Sequence, residues 1–298
     1  MAVLENNKLP SDDLPRITQA LKVYHKWIVI LDKVVASKSP AAKTLKRMVQ
    51  LLNIYKFYID VSVIFDSPNN FLARQKGQLK LDNTIIEEFL PRLIIPSLIP
   101  EIQKFPVEIG PMNSFSSVYF ESSLDVPAKG GGLRLRTKNQ DFAISKKLFI
   151  RTSHSPNFEP EITAETETNL AYIAAECKTN LDKTMFQEGC ATAHDVKSAV
   201  LGAKYFLLCE WLDMNPVSTA PTDIDQVIIL RKAKRINANK RKEFSTFSGR
   251  QNSREEYINY LKNNPFRLEM FELFIHNIRS LLNQETPQES DVLKLGYF

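Results

Sequence analysis

The chain has 298 residues, of which 43% are hydrophobic and 24% are charged, and it contains only 9 glycines and 16 prolines. This composition is typical of a globular protein and excludes a disordered or collagen-like chain. The net charge of +5 is too small to indicate a partner by itself.

The sequence shows no pattern of secretion or membrane insertion. Its N-terminus lacks the positive charge and apolar stretch of a signal peptide, so we expect a cytoplasmic protein. Residues 89–112 form the most apolar stretch, but prolines interrupt it repeatedly, and we expect no membrane-spanning segment. The 3 cysteines and 4 histidines lack the spacing of a zinc site. We therefore expect a reducing compartment and no structural zinc.

Helical patterns dominate the first third of the chain. Residues 14–36 place apolar side chains at the spacing of one buried helix face, and Pro40 provides a start signal for a second helix over residues 41–58. Residues 84–95 predict a third helix. The sequence therefore predicts a helical N-terminal region, which we assign to residues 1–115.

The pattern changes after residue 116. Short β-branched and aromatic runs predict strands, at residues 118–120, 133–136, 149–151 and 171–178. Apolar spacing predicts a long helix over residues 193–214, and residues 226–230 predict a buried strand. Two C-terminal helices are predicted over residues 253–262 and 265–282, the first opened by a Ser253 capping box. Residues 116–298 are therefore expected to form an α/β (α+β) core, with a mixed central sheet flanked by helices.

Positive charge is concentrated in two segments that flank a negative one. Residues 231–254 contain nine basic residues and one acidic residue, and residues 129–138 contain four basic residues and no acidic one. Between them, residues 156–176 contain five glutamates and no lysine or arginine. This pattern suits a surface that holds a polyanion at its edges and a divalent cation at its centre. Solvated faces and a flexible basic loop are the alternative interpretation.

The acidic segment ends in a pair of residues suited to phosphate chemistry. Alternate side chains of a strand share a face, so Glu176 and Lys178 project together while Cys177 faces the core. A polar turn over residues 163–169 would fold the preceding segment beside this strand and bring Glu161 next to Glu176. Two such carboxylates form a site for Mg²⁺, which activates water and bridges to phosphate. Lys178 could then stabilise the charge on phosphorus or orient the water.

These residues resemble the PD-(D/E)XK nuclease superfamily, here as Pro160-Glu161, fourteen residues, and then Glu176-Cys177-Lys178. The run that starts at Lys178, Lys-Thr-Asn-Leu-Asp-Lys-Thr-Met-Phe-Gln-Glu, resembles Type II restriction endonucleases, and most of all the subunits that cut an asymmetric site with two related but non-identical chains. The resemblance covers roughly residues 158–190. It implies a restriction-endonuclease-like core with Glu161, Glu176 and Lys178 as catalytic residues, and with Glu161 and Glu176 as metal ligands. Because the first acid of the superfamily is usually aspartate, Glu165 and Glu167 are alternatives to Glu161.

Other residues are candidates for contact with DNA. A glycine-rich turn would present Arg134 and Arg136, the segment after the strand would present Lys183 and Gln187, and the basic loop would present three consecutive residues, Lys240, Arg241 and Lys242. Lys183 and Gln187 could equally be polar residues that open a helix.

Two further interpretations concern groups near the predicted site. Glu87 or Glu88 could add a third carboxylate, although a solvated helix face is the simpler interpretation. His154 and His194 are expected to be surface or structural residues, because a magnesium site with a lysine needs no histidine base.

The sequence thus predicts a Mg²⁺-dependent, site-specific deoxyribonuclease of the Type II restriction class. Each active site would cut one strand of double-stranded DNA, so a double-strand break requires a second nuclease subunit, identical or paralogous. Another nuclease of the superfamily, acting in repair or on junctions, is the first alternative. A non-catalytic DNA-binding subunit is the second.

Overall fold

The computed structural model describes residues 11–77, 79–82 and 84–283. The N-terminal residues behind the expectation of no signal peptide lie outside this part of the chain. The first third is helical as predicted, with helices α1 (Leu14–Val35), α2 (Ala41–Tyr58), α3 (Asn70–Gln75) and α4 (Thr84–Phe89). Short 3-10 helices span Ser11–Asp13, Leu90–Leu93 and Pro100–Lys104.

Helix α2 continues without a break into a π-helical segment, Ile59–Phe65. Together they form one helical stretch, Ala41–Phe65, that is long and apolar enough to cross a membrane by length and composition. The sequence patterns did not reveal this stretch, and the expectation of no membrane-spanning segment stays a prediction. However, 61% of its most apolar window is buried inside the protein, as in the core helix of a globular protein.

The second part of the chain builds a five-stranded sheet. Its elements are β1 (Glu108–Phe120), β2 (Leu133–Thr152), β3 (Ala164–Leu181), α5 (Lys183–Ala199), β4 (Lys204–Leu212) and β5 (Gln226–Ile229). The short 3-10 turn Lys129–Gly132 precedes β2. Four helices follow the sheet, α6 (Ala238–Glu243), α7 (Phe247–Asn252), α8 (Arg254–Asn263) and α9 (Leu268–Asn283).

The strands lie in the order β1-β2-β3-β4-β5. The pairs β1–β2 and β2–β3 are antiparallel, whereas β3–β4 and β4–β5 are parallel. Helix α5 makes the crossover between the parallel strands β3 and β4, as a βαβ unit requires. The predicted mixed sheet flanked by helices is therefore confirmed.

Alternate residues of the strands contact two different cores. On one face, Phe142, Ile173 and Phe206 pack with side chains of α1, α2, α4 and α9. On the other face, Tyr205 and Leu207 pack with α5. Helices thus cover both faces, and the central strands are buried on both sides.

The helix predicted over residues 193–214 is wrong in its second half. Helix α5 ends at Ala199, Gly202 has a left-handed φ of 80°, and residues from Lys204 form β4. Nearly every residue of β4 is buried. A strand with both faces covered is a continuous apolar run, which lacks the alternation that distinguishes a strand from a buried helix.

Two further expectations also need correction. The predicted strands at 133–136 and 149–151 are parts of one 20-residue strand, β2. Ser253 stands at the start of α8, but its hydroxyl donates to Glu243 Oε2 at 3.0 Å and makes no capping bond. The predicted capping box is therefore absent, although the helix forms where expected.

A buried ionic cluster joins the two parts of the chain. Lys56 Nζ lies 2.6 Å from Asp60 Oδ1 and 2.9 Å from Glu210 Oε1, and Arg231 Nη2 lies 2.7 Å from the same Glu210 oxygen. All four side chains are at most 5% exposed. The boundary predicted at residues 115/116 falls within β1, and the division into two domains stays a prediction.

Candidate active site

Strand β3 places a carboxylate and an ammonium group side by side. Lys178 Nζ lies 2.6 Å from Glu176 Oε1, and both side chains are partly exposed. The hydroxyl of Tyr205, on the neighbouring β4, donates to Glu176 Oε2 at 3.1 Å. The shared face predicted from strand alternation is thus observed, and Cys177 between them is buried as expected.

The sequence analysis did not identify a second carboxylate at this place, Asp141 of β2. Pairing between β2 and β3 runs as far as Phe142 opposite Ala175. One residue further, Asp141 Oδ2 accepts the backbone N–H of Cys177 at 2.8 Å. The Asp141 carboxylate thus lies beside the backbone between Glu176 and Lys178, at the point where pairing between β2 and β3 ends.

A third carboxylate, Glu87 of α4, lies close to Asp141. Lys80 Nζ stands between them, 3.6 Å from Glu87 Oε1 and 3.8 Å from Asp141 Oδ1. Glu87 is only 8% exposed, so the simpler interpretation of a solvated helix face is wrong for this residue. Glu88 points elsewhere and accepts a hydrogen bond from Tyr24 of α1.

The acids of this cluster are held in a partly buried, mutually repulsive environment. Burial raises the pKa of Asp141, and the charge of Glu176 adds to the increase, against the opposing effects of the Cys177 N–H and Lys80. Burial also raises the pKa of Glu87, and the charge of Asp141 adds to it. Carboxylates crowded in this way are stabilised by a cation.

Lys178 remains protonated at neutral pH. Burial alone lowers the pKa of its ammonium group, but the hydrogen bond and the charge of Glu176 outweigh burial and raise the pKa above its usual value. Lys178 is therefore a donor of positive charge and hydrogen bonds, and not a base.

The structure does not bring Glu161 to this cluster. Residues 164–169, expected to form part of a turn, belong to β3, so Glu161 lies in the turn before that strand. Fifteen residues of mostly extended chain, about 50 Å, separate it from Glu176. The predicted proximity is therefore wrong.

The two alternatives to Glu161 are also remote. Glu165 pairs with Arg151 at 3.1 Å, and Glu167 pairs with Lys147 at 3.1 Å. Both lie nine or more residues before Glu176, or roughly 30 Å along the strand. The alternating Thr and Glu residues pair across to β2, which explains why this polar segment extends the sheet and does not turn.

The carboxylates of this cluster are oxygen ligands of the kind that a hard divalent cation takes. Among the described residues, no group of three Asp, Glu, His or Cys is arranged to hold a metal, and Lys80 and Lys178 pair with these acids. However, Glu87 Oε1 is buried without a hydrogen-bond partner among the described residues, and it faces Lys80 Nζ at 3.6 Å. A Mg²⁺ that displaced Lys80 would find oxygen ligands on both Glu87 and Asp141.

A comparison with family models matches residues 78–298 to the Bpu10I restriction endonuclease family. The chain belongs to this family. All four residues of the cluster, Glu87, Asp141, Glu176 and Lys178, lie within the matched segment. The resemblance to restriction endonucleases is therefore confirmed, and membership in the Bpu10I family makes the chain a nuclease.

The other comparisons add little to this assignment. No curated protein matches the chain. Among solved structures, the chain is similar to one described as the native BbvCI A2B2 tetramer at low resolution, with 20% identity, 93% of this chain and 91% of that chain covered, and a TM-score of 0.49.

In this member of the Bpu10I family, the DNA-contact candidates nearest to Glu176 and Lys178 in sequence are on α5. Lys183 and Gln187 are exposed in its first two turns, and the helix begins two residues after β3 ends. The side chain of Asp182 caps the helix by accepting the Met185 N–H at 2.9 Å. Helix α5 thus presents both residues at the end of the strand that carries Lys178.

The Arg134 and Arg136 side chains lie on an exposed part of β2. Arg134 pairs with Glu121 at 2.7 Å, and Arg136 lies over the Tyr119 ring at 5.3 Å. The preceding turn is closely packed, because a Cβ added at Gly132 would stand 2.0 Å from the Glu121 carbonyl oxygen. The expected glycine-rich turn is thus present, as the closely packed 3-10 turn Lys129–Gly132.

Much of the basic segment 231–254 is buried or paired with carboxylates. Arg231 and Arg250 are buried. Lys240 pairs with Glu243 and Glu256, each at 2.8 Å, and Arg241 lies 3.4 Å from Asp213. Lys242 is exposed. The excess of basic residues in the sequence thus overstates the positive charge that this segment presents to solvent.

Proposed function

We propose that this restriction endonuclease subunit hydrolyses phosphodiester bonds of double-stranded DNA at a specific sequence, with Asp141, Glu176 and Lys178 as its catalytic residues. The observation that carries the proposal is the hydrogen bond from Cys177 N–H to Asp141, which fixes an acid of β2 beside the Glu176-Lys178 pair. Two acids and a lysine at the point where two strands separate match the chemistry predicted from the sequence. Asp141 takes the role that the sequence analysis gave to Glu161.

We assign a Mg²⁺ site to Asp141 and Glu176, with Glu87 as the third carboxylate. A bound Mg²⁺ would neutralise the scissile phosphate and lower the pKa of an attacking water. Lys178 donates from its ammonium group to a phosphate oxygen and stabilises the negative charge that develops as water attacks phosphorus. The Tyr205 hydroxyl holds Glu176 in position by its hydrogen bond.

The remaining residues of the proposal position DNA. Lys183 and Gln187 lie near enough in sequence to the active strand to contact the scissile phosphate or its neighbour. Arg134, Arg136 and the exposed Lys242 contact the backbone further away. One site cuts one strand, so we propose that a second nuclease chain, identical or paralogous, supplies the other site.

Plasmid cleavage tests this function directly. The purified chain, alone and with any chain encoded beside it, is incubated with supercoiled plasmid in Mg²⁺ or in EDTA. We expect nicked or linear DNA with a fixed fragment pattern in Mg²⁺ only. Cleavage that depends on junctions or lesions and not on sequence would favour a repair or resolvase-like nuclease.

Matched substitutions at two places on the same strands distinguish a loss of catalysis from damage to the sheet. Glu176→Gln and Lys178→Ala should abolish cleavage, whereas Glu167→Gln and Lys147→Ala, which break an exposed ion pair at the far end of β3 and β2, should not. Cleavage at the wild-type rate by either of the first two variants would refute the catalytic assignment. Binding without cleavage by every form would favour a non-catalytic DNA-binding subunit.

A further inference from the structure

A separate cavity of about 310 Å³ opens beside β3, the strand that carries Glu176 and Lys178. Thr179, which follows Lys178 directly on β3, lines it. Five basic residues contribute to its wall, namely Arg74, Lys76, Arg235, Arg241 and Arg250. Of the described residues that line the cavity, none is acidic.

The positive charge of this cavity is only partly neutralised. Arg235 and Arg241 share one carboxylate, Asp213, at 2.9 and 3.4 Å, and Lys76 pairs with Asp82 at 3.1 Å. Two carboxylates thus form direct ion pairs with three of the five cations, and the charges of Asp60 and Glu210 also act on Lys76. A cavity with such an excess of cations attracts an anion.

Two of the five cations, Arg74 and Arg250, have no carboxylate partner in the part of the chain that the structure describes. Arg250 is buried, and it donates only to neutral oxygens, among them the Phe65 carbonyl at 2.8 Å and the Ser67 carbonyl at 2.8 Å. Arg74 is exposed at the cavity mouth, and its charge together with burial lowers the pKa of Arg250. A buried cation without a counter-ion is costly, and an anionic ligand near Arg74 would offset that cost.

Aromatic rings line the same cavity. Trp211 and Tyr260 are stacked with their ring centroids 4.9 Å apart, and Phe65 and Tyr257 are stacked at 4.2 Å. Because the Arg231 guanidinium also covers the Trp211 ring at 4.6 Å, the base of a nucleotide would contact the ring edges and not stack on them, while the arginines would bind its phosphate. The volume suits one nucleotide and excludes a duplex.

We propose that this cavity binds a single nucleotide of the DNA substrate, turned out of the helix, with its phosphate at Arg74 and Arg241 and its base against the Trp211 and Tyr260 edges. This proposal depends on the proposed function only where it assigns the bound nucleotide to a DNA substrate. Enzymes that do chemistry on a base turn it out of the stack at a cost of about a few kcal/mol, and the contacts in this cavity would offset that cost for a nucleotide turned out here.

Tryptophan fluorescence tests nucleotide binding without any cleavage. The chain has 2 tryptophans, so Trp27→Phe leaves Trp211 as the only emitter. We expect saturable changes in Trp211 emission with each deoxynucleoside monophosphate in the absence of Mg²⁺. Arg74→Gln and Arg241→Gln should weaken binding roughly tenfold, whereas Arg47→Gln, an exposed arginine on α2, should not. Inorganic phosphate that binds as tightly as the nucleotides, or no saturable change, would overturn the proposal.

Photocrosslinking identifies the source of the nucleotide. Duplexes that carry 5-iodouracil around the mapped cleavage site should crosslink to Trp211 or Tyr260. Crosslinks confined to residues outside the cavity, with free nucleotides still bound, would overturn the assignment to DNA. Because the fluorescence assay needs no cleavage, a failure of the proposed nuclease function and a failure of this site give different results.

Discussion

Replacing Asp141 by asparagine tests whether Asp141, and not Glu161, is the second acid of the active site. The amide oxygen of asparagine can still accept the Cys177 N–H, which is bonded to Asp141 at 2.8 Å, so the strands should keep their geometry. The change removes one negative charge from the proposed metal site. Substitutions outside the direct ligands of a metal already cost 10–100-fold in affinity or activity, so we expect the loss of a ligand to lower plasmid cleavage by roughly 100-fold or more.

A second substitution at the same position separates chemistry from stability. Asp141→Ala leaves the Cys177 N–H, in a residue only 2% exposed, without an acceptor. An unsatisfied buried donor costs about 1–3 kcal/mol, which corresponds to a decrease in Tm of a few degrees at this chain length. Both variants should therefore be inactive, but only the alanine variant should melt earlier by calorimetry.

The pH dependence of stability follows from the raised pKa of Asp141. A carboxyl group with a raised folded-state pKa contributes stability that is fully present below its unfolded value, near pH 4, and is lost as pH rises through the folded value. The metal-free wild type should therefore lose stability across that window more steeply than Asp141→Asn. Mg²⁺ should raise the Tm of the wild type and not of the variant. Wild-type cleavage by Asp141→Asn, or equal stabilisation of both by Mg²⁺, would refute the reasoning.

Three other outcomes are expected. Glu161→Ala should cleave plasmid at the wild-type rate, and a large loss would restore Glu161 to the site. Neutralising Lys240, Arg241 and Lys242 together should lower the salt dependence of DNA binding by about two phosphate contacts, or ~1.8 in slope, because the exposed Lys242 and the cavity residue Arg241 reach DNA whereas Lys240 is paired with two acids. A decrease of ~2.7 would show that Lys240 reaches DNA as well. Mixing the Lys178→Ala variant with an active paralogous partner should give nicks in one defined strand. If the mixture does not cleave while the wild-type chain alone cuts both strands, the enzyme is a homodimer.

The sequence predicted those parts of the site that depend on local geometry. Glu176 and Lys178 are two residues apart, so strand alternation alone brings them together. Asp141 is 35 residues before Glu176, and its position depends on the register of two long strands, which no short motif records. The apolar run of Phe142, Ala143 and Ile144 that follows Asp141 is a weak signal of a strand entering the core, similar to the run before Glu176.

The errors at residues 163–169 and 204–212 have a common physical origin. Thr and Glu alternate in the first segment, and this polar composition favoured a turn, although the cross-strand pairs Glu165–Arg151 and Glu167–Lys147 suit an exposed strand. The second segment is apolar throughout, so its periodicity could not separate a helix from a strand. In both segments the partner strand, and not the local sequence, determines the structure.

The buried cluster of Lys56, Asp60, Glu210 and Arg231 limits where the chain can be truncated to make a fusion protein. A cleavage module cut from residue 116 onward for fusion to another DNA-binding protein would lack Lys56 and Asp60, which lie against Glu210 and Arg231. It would also lack α1, α2 and α4, which share the apolar core of Phe142 and Phe206 on one face of the sheet, and would keep α9 there. Fusions should therefore carry the chain from its first helix, with the added protein attached at an end.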